Sequence, residues 1–255
     1  MRTLAVIPAR LGATRLPRKP LRLLAGQPLI VRVWEHVQAM DVVDQIVVAT
    51  DSGEIASIVA QAGGTVAITR ADHPSGTDRV AEVVFGIAGD QAGFDVIVNV
   101  QGDEPFIPPE AVRGARDMVA QHGFELGTAA ARADAAVLDD PDIVKVVCAK
   151  DGRALYFSRA PIPYLRNASD SATREQLVRQ HIGVYAYTRD ALQRWVALPP
   201  HALEQSERLE QLRPLAAGMT MGVALIDVRP PLSVDTEEDL MRANALWETR
   251  FAGRS

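Results

Sequence analysis

Apolar residues in the first hundred positions fall into short continuous runs separated by amphipathic stretches. The runs at 4–7, 46–49, 66–68 and 96–100 have the length and residue types of buried strands. Continuous runs favour strands covered on both faces, and their alternation with helices predicts a doubly wound, mostly parallel α/β sheet. Between the runs, apolar residues recur at helical spacing, namely Leu29, Val33, Val37 and Met40, then Ile55, Ile58 and Val59, then Val80, Val83, Val84 and Ile87.

The pattern changes after about residue 123. Apolar and polar positions alternate in "KVVCAKDGRALYF", and the Asp-Gly pair inside it predicts the turn of a β-hairpin. A further strand is predicted at 181–187 and a helix at 203–217. The closing "VDTEEDLMRANALWETRF" predicts a helix with Thr236 as N-cap and Asp239 as the capping-box acid. We therefore predict one domain over 1–255 with a smaller mixed β insertion at about 125–220.

Composition narrows the class of protein without naming an activity. A chain of 255 residues with 47% hydrophobic residues can bury a sizeable core without a disulfide or metal. Its single cysteine, Cys148, cannot form an internal disulfide and favours a reducing, cytoplasmic location. The apolar run at 4–7 is too short for a signal peptide or a membrane span. The net charge of −5 disfavours binding to nucleic acid. An enzyme acting on small molecules is the class that fits.

The strongest chemical signal is the basic loop, "IPARLGATRLPRKPL" at residues 7–21. It follows the first predicted strand, at the edge of an α/β sheet where ligands bind. Its cations, Arg10, Arg15, Arg18 and Lys19, together with backbone amides, suit a polyphosphate. The loop is neither a Walker A motif nor the G-x-G-x-x-G fingerprint, which disfavours an NAD-linked oxidoreductase. A solvated basic loop without a ligand is the weaker alternative.

A second signal is "VIVNVQGDEPFIPPEAV", in which Asp103 and Glu104 follow a buried strand. Carboxylates at the end of a strand are well placed to hold Mg²⁺, which takes oxygen ligands and substrate phosphates. Because adjacent residues point in opposite directions, only one of the two acids is expected to face a metal. An exposed surface turn explains this segment equally well.

Two further segments allow a structural or a functional interpretation. In "LSVDTEEDL", Asp235 lies between a strand and a helix, and the local sequence favours a capping or turn role over ligand binding. In "RADHPSGTDRVAEV", Ser75, Gly76 and Thr77 open a helix and Arg79 lies in its first turn. Helix N-terminal amides can receive an anionic ligand group, but simple capping by Thr77 fits the spacing equally well.

These segments, taken in order, resemble the CMP-Kdo synthetases, the cytidylyltransferases of 3-deoxy-manno-octulosonate (Kdo). The resemblance continues through "ATDSGEIA", "VKVV", "ALYFSRAPIPY", "HIGVYAY", "LEQLR" and "VDTEEDL", so it covers nearly the whole chain. The related CMP-sialate synthetases share the basic loop but not the later segments as a set. The resemblance implies a nucleotide-binding sheet whose mixed β insertion builds the sugar site and a homodimer interface.

The resemblance also implies an activity and a set of site residues. The activity is transfer of CMP from CTP to the anomeric hydroxyl of Kdo, with release of pyrophosphate, for lipopolysaccharide synthesis. Asp103 and Asp235 would hold Mg²⁺, contrary to the local interpretation of Asp235. The implied CTP residues are Pro8, Ala9, Arg10, Lys19, Ser75, Arg79 and Gln101, and the implied Kdo residues are Arg15, Arg159, His181, Glu210 and Gln211.

Other interpretations remain open. Judged locally, His181 fits a hydrogen-bonded structural histidine, and Glu210 with Arg213 fits a surface ion pair on one helix. The substrate could be another acidic sugar, such as 8-amino-Kdo or a sialic acid. A non-catalytic nucleotide-binding protein is the alternative from another class, and the intact set of Arg10, Lys19 and the two aspartates disfavours it.

The basic loop departs from the family pattern at two positions. Arg18 stands where the family usually has Gly, and Ala13 stands where it usually has Ser. If residue 18 has a positive φ, its side chain imposes strain that Gly would avoid. Ala13 lacks a hydroxyl that could contact a phosphate.

Overall fold

The computed structural model describes residues 1–12, 15–87, 93–164, 166, 177–228 and 232–251. The strands are β1 (Thr3–Ala9), β2 (Leu23–Leu24), β3 (Gln27–Pro28), β4 (Gln45–Thr50), β5 (Thr65–Ile68), β6 (Val96–Val100), β7 (Leu126–Arg132), β8 (Lys145–Cys148), β9 (Ala154–Ser158), β10 (Arg179–Thr188) and β11 (Met221–Ile226). The helices are α1 (Leu29–Ala39), α2 (Gly53–Gln61), α3 (Gly76–Glu82), α4 (Pro109–Ala120), α5 (Arg189–Ala197), α6 (Ala202–Glu207), α7 (Leu212–Ala216) and α8 (Glu237–Phe251). Within these described ranges, no helix is long and apolar enough to cross a bilayer.

Contacts along the chain define two compact units. The first unit comprises Arg2–Phe94, Asn99–Pro109 and Pro231–Ser255. In it, β1 pairs with β4 and β4 pairs with β5, both in parallel, and α1, α2 and α3 follow these strands in alternation. The side chains of β1 from Leu4 to Ile7 are fully buried, as continuous apolar runs predict. The predicted α/β class with parallel strands is confirmed.

The second unit comprises Met1, Asp95–Val98 and Glu110–Pro230, and it contains the mixed β region. Here β7 pairs in parallel with β11 and antiparallel with β10. The predicted hairpin is present as the antiparallel pair β8 and β9, and Gly152 in its turn has φ 85°. A positive φ is the conformation that makes glycine the favoured residue at such a turn.

The single helix predicted at 203–217 is wrong, because the segment forms two short helices, α6 and α7. Arg208 adopts a left-handed conformation with φ 53° and ends α6. Glu210 and Gln211 therefore lie in the turn between the helices rather than on a continuous helical face. Arg213 pairs with Glu204, at 2.5 Å between Nη2 and Oε1.

The third predicted helix is shorter than its apolar spacing indicated. Regular α-helix ends at Glu82, and Val83–Ile87 continues as a π-helical segment. At the C-terminal helix, the predicted capping box is present. Thr236 Oγ1 accepts from the Asp239 amide at 3.1 Å, and the Asp239 carboxylate accepts from the Thr236 amide at 2.9 Å.

Arg18 has a positive φ, the one of the two possible cases in which its side chain is strained. Its φ is 56° and its ψ is 32°, in the left-handed region, immediately before a 3₁₀ turn at Lys19–Leu21. A side chain in this conformation is less favourable than Gly by about 1 kcal/mol or more. The Arg18 guanidinium also forms an exposed ion pair with Glu54 at 2.5 Å. Ala13, the other departure, lies outside the described residues.

Replacing Arg18 tests the strain directly. We expect Arg18→Gly to be about 1 kcal/mol more stable than Arg18→Ala, because both variants lose the Glu54 ion pair but only Gly tolerates the left-handed backbone. Urea unfolding of the two variants measures the difference. Glu54→Gln is the control for the ion pair and should change stability little, because exposed pairs contribute little. Equal stability of the Gly and Ala variants would contradict the assignment of strain.

Candidate active site

A cavity of about 380 Å³ lies within the first unit, at the carboxyl ends of β1 and β6. It brings together the basic loop, the turn after β6, the start of α3 and the residue before the C-terminal helix. Of the residues implied for CTP and the metal, Pro8, Ala9, Arg10, Lys19, Ser75, Arg79, Gln101, Asp103 and Asp235 all line this cavity, as does Arg15. Sequence positions more than 200 apart therefore meet at one site.

Close backbone packing helps to form the floor of this cavity. A Cβ added at Gly102 would lie 2.8 Å from the carbonyl oxygen of Pro8, closer than side-chain carbons normally approach an oxygen. The turn after β6 can therefore approach the end of β1 only because residue 102 has no side chain. This contact sets how far Asp103 lies from the basic loop.

Lys19 is the centre of the charge arrangement. Its Nζ lies 2.5 Å from Asp103 Oδ2 and 3.0 Å from Asp235 Oδ1, so one ammonium bridges two carboxylates. Burial alone would lower the pKa of Lys19, but the charges and hydrogen bonds of the two aspartates outweigh it and hold the pKa above its usual value. Arg15 adds a second contact to Asp235, at 3.2 Å.

Asp103 and Asp235, hereafter the carboxylate pair, form a donor set that suits Mg²⁺. Their oxygens converge on one cationic atom, and both side chains remain partly exposed to the cavity. Across the described part of the chain, no cluster of three or more His, Cys, Asp or Glu side chains could hold a metal by itself. Two carboxylates completed by waters and substrate phosphates are the usual environment of Mg²⁺ in enzymes that use nucleotides.

The two adjacent acids after β6 point in opposite directions, as expected. Asp103 faces Lys19, whereas Glu104 is turned into the protein and is only 8% exposed. Burial and the nearby charge of Asp103 raise the pKa of Glu104 to about 8, although a hydrogen bond from Ser233 opposes that rise. Glu104 is therefore largely protonated at neutral pH and adds little negative charge behind the carboxylate pair.

Asp235 does not cap the C-terminal helix, although the local sequence favoured that role. Thr236 is the N-cap, and the Asp235 side chain instead pairs with Lys19 and Arg15. The alternative of an exposed surface turn at Asp103 and Glu104 is likewise not what the structure contains, because Glu104 is buried.

The start of α3 combines capping with exposure to the cavity. Ser75, not Thr77, is the N-cap, and its Oγ accepts from the Asp78 amide at 3.2 Å and donates to the Asp78 carboxylate at 2.5 Å. Arg79 is buried, donates to Thr69 Oγ1 and lies 3.8 Å from Asp51. These contacts fix the direction of both side chains that sequence comparison implied for nucleotide binding.

The remaining implied sugar residues, Arg159, His181, Glu210 and Gln211, belong to the second unit. His181 is half-buried, and its Nε2 is 2.9 Å from Thr128 Oγ1. Burial lowers the pKa of His181 to about 3, so the ring is neutral at physiological pH. This geometry is that of a hydrogen-bonded structural histidine, and the sugar contact that the resemblance implies for His181 stays a prediction.

Backbone carbonyls orient the Arg159 guanidinium. Its Nε donates to the carbonyl of Glu207 at 2.9 Å and its Nη1 to the carbonyl of Pro141 at 2.8 Å. Gln211 is only 2% exposed, and among the described residues its Nε2 has no hydrogen-bond partner. A buried amide nitrogen of this kind is available to a ligand hydroxyl or carboxylate.

Sequence reasoning missed several residues of the site. His73 lines the cavity and hydrogen bonds to Glu82, and a single histidine before the predicted helix carries no signal for such a position. Ser233 reaches Glu104 across 129 positions of sequence, a contact that no local pattern signals. The other cavity-lining residues absent from the predicted set are Gly12, Leu16, Pro20, Gly76 and Gly102.

Comparison with known proteins identifies what this arrangement resembles. Residues 4–221 match the model of a family described as Cytidylyltransferase. A 3-deoxy-manno-octulosonate cytidylyltransferase of Gemmatimonas aurantiaca is 57% identical over 255 residues, covering 100% of this chain and 98% of the relative. The protein of the same name from Yersinia enterocolitica is 44% identical over 251 residues, covering 96% of this chain and 98% of the relative.

A solved structure gives the same result at the level of the fold. The structure of a CMP:2-keto-3-deoxy-manno-octonic acid synthetase complexed with CTP is similar with a TM-score of 0.89 at 38% sequence identity. The similarity covers 98% of this chain and 100% of that chain.

The raised pKa of Glu104 predicts a pH-dependent stability difference. Its pKa is about 8 in the folded protein against 4.5 ordinarily, so between about pH 5 and 8 the unfolded chain releases a proton that the folded protein keeps. Rising pH therefore favours the unfolded state of the wild type. We expect Glu104→Gln to gain stability relative to wild type by a few kcal/mol across this range.

Denaturant unfolding at several pH values in EDTA measures this gain. Glu110→Gln, a carboxyl-to-amide change at an exposed site, is the matched control. A difference between Glu104→Gln and wild type that stays constant from pH 5 to 8 would show that Glu104 is ionised in the folded protein.

Proposed function

The chain belongs to the 3-deoxy-manno-octulosonate cytidylyltransferase family, and from that membership we propose that it transfers CMP from CTP to the anomeric hydroxyl of Kdo. The products are CMP-Kdo and pyrophosphate. The observation that carries the proposal is the bridge from Lys19 to both Asp103 and Asp235 inside the cavity. This bridge combines a cation for the triphosphate with two carboxylates for a metal.

The triphosphate of CTP is assigned to the basic side of the cavity. Arg10 and Lys19 supply positive charge there, and the backbone of Pro8 and Ala9 lies beside them. Ser75, Arg79 and Gln101 are assigned to the cytosine and ribose. Arg79 is held by Thr69, which limits the entropy that the side chain loses when it contacts a ligand.

The carboxylate pair would hold Mg²⁺, and its donor set fits that ion. When bound, Mg²⁺ supplies charge neutralisation at the α-phosphate and lowers the pKa of a hydroxyl attached to it. Lys19 keeps its positive charge under all ordinary conditions, because its pKa is raised.

The reaction is a direct, in-line displacement. The anomeric hydroxyl of Kdo loses its proton to solvent, and its oxygen forms a bond to the α-phosphorus while the bond from that phosphorus to the leaving pyrophosphate oxygen breaks. Transfers of this kind depend on positioning and on neutralising charge in the transition state. The cations of the cavity and the carboxylate pair supply these requirements, and the mechanism uses no covalent enzyme intermediate.

The acidic sugar is assigned to Arg15 together with Arg159, His181, Glu210 and Gln211. An arginine suits the Kdo carboxylate because its guanidinium matches carboxylate geometry. His181 is neutral, so its role is to hydrogen bond a hydroxyl rather than to transfer a proton. The buried amide nitrogen of Gln211 suits the same purpose.

Three further properties are part of the proposal and rest on family membership. The protein is assigned to the cytoplasm, where the thiol of Cys148 would stay reduced. It would form a homodimer, and the region at about 125–220 would supply both sugar contacts and the dimer interface. Its product would supply Kdo for lipopolysaccharide synthesis.

A panel of acceptor sugars tests the activity. With CTP and Mg²⁺, we expect pyrophosphate release with Kdo and none with sialic acid or without sugar, and 8-amino-Kdo is included as the closest competitor. Release with a different sugar would keep the fold and the reaction but change the substrate. CTP binding without release for any sugar would support a non-catalytic nucleotide-binding protein and contradict the proposal.

Neutralising one member of the carboxylate pair tests the metal assignment. Asp103→Asn keeps the shape of the side chain but removes the charge, so we expect pyrophosphate release to fall at least about 100-fold, the order found when one electrostatic stabiliser of a transition state is lost. Asp151→Asn, on the exposed turn between β8 and β9, is the matched control and should retain full activity. An Asp103→Asn protein with near wild-type activity would exclude Asp103 as a metal ligand.

A further inference from the structure

Glu104 and Ser233 lie directly behind the carboxylate pair and have no part in the proposed reaction. Each is a near neighbour in sequence of one member of the pair, Glu104 next to Asp103 and Ser233 two residues before Asp235. Neither lines the cavity. A buried carboxyl is costly to the fold, so its presence beside a site calls for a compensating role.

Two hydrogen bonds join the turn after β6 to the segment before α8. Ser233 Oγ donates to Glu104 Oε1 at 2.8 Å, and the amide of Val234 donates to the carbonyl of Asp103 at 3.0 Å. The backbone bond alone permits the segments to pivot about it, whereas two bonds from consecutive residues define one orientation. The Asp103 and Asp235 side chains project from the two segments joined in this way.

The outer ends of both segments are also fixed. The Asp239 carboxylate accepts from the amide of Asp235 at 3.2 Å, which ties Asp235 to the first turn of α8. On the other side, the Glu104 amide donates to the carbonyl of Gln101 at 3.3 Å and closes the turn after β6. The side-chain bond between Glu104 and Ser233 then fixes the orientation of the two segments between these ends.

We infer that the Glu104–Ser233 hydrogen bond is a positioning device that sets the separation of Asp103 and Asp235 for a divalent cation bound together with CTP. Glu104 acts through Asp103, and Ser233 acts through Asp235, without touching the substrate. Removing a hydrogen bond that orients a metal ligand typically weakens metal binding by about 10- to 100-fold. The inference rests on the proposed function, because it requires a metal at the carboxylate pair.

Binding of Mn²⁺ to the CTP-saturated protein, without an acceptor sugar, tests the inference by a readout other than turnover. Free Mn²⁺ is followed by electron paramagnetic resonance. We expect Ser233→Ala and Glu104→Met to weaken Mn²⁺ binding about 10-fold. Glu104→Gln keeps an oxygen that can accept from Ser233 and should stay within about 2-fold of wild type. The double variant Ser233→Ala/Glu104→Met should be no weaker than Glu104→Met, since both changes remove the same bond.

Thr220→Val is the matched control, because Thr220 Oγ1 donates to the Glu125 carboxylate at 3.1 Å, a comparable hydroxyl-to-carboxylate bond in the second unit. It should lower stability in EDTA much as Ser233→Ala does but leave Mn²⁺ affinity unchanged. Unchanged Mn²⁺ affinity in both Ser233→Ala and Glu104→Met would overturn this inference but leave the proposed function intact. If wild type binds no Mn²⁺ with CTP, the metal assignment of the proposed function fails, and the inference fails with it.

Discussion

The first unit depends on one ammonium group held between two carboxylates. Lys19 lies on a loop after β1, Asp103 follows β6, and Asp235 precedes the C-terminal helix, so without a cation between them the two acids would repel each other at close range. The ion pairs are partly buried, where charges interact more strongly than at the surface. The same interaction therefore holds three distant segments of the chain together at one cavity.

The cavity concentrates positively charged side chains although the protein as a whole is acidic. The net charge is −5, yet Arg10, Arg15 and Lys19 all line one cavity. Local charge is adjusted as well, because burial and the charge of Asp103 raise the pKa of Glu104 to about 8. The charge of this site is therefore set in two ways. Arginine and lysine side chains line the cavity, and the raised pKa of Glu104 reduces the negative charge behind it.

The sequence predicted those elements whose formation depends on burying apolar side chains. It did not predict an element boundary that depends on the backbone conformation of one residue. The apolar runs at 4–7 and 46–49 became parallel strands, since strands covered on both faces leave a strong apolar signal. The helix predicted at 203–217 failed at Arg208, which adopts a left-handed conformation that neither Gly nor Pro marks in the sequence.

The site shows the same division between local and distant determinants. The basic loop and the acids after β6 were found because each concentrates reactive groups in one stretch of chain. Asp235 was misjudged locally, since its neighbour Thr236 supplies the cap and frees the aspartate for Lys19, 216 residues away. The structure rules out the capping role, whereas the metal role that the family resemblance implies for Asp235 stays a prediction. The family resemblance gave no information on Glu104 and Ser233, because they lie in two separate motifs. Only the structure shows that a hydrogen bond joins them. Residues that act through other residues are therefore the part of a site that can be identified only from a three-dimensional structure.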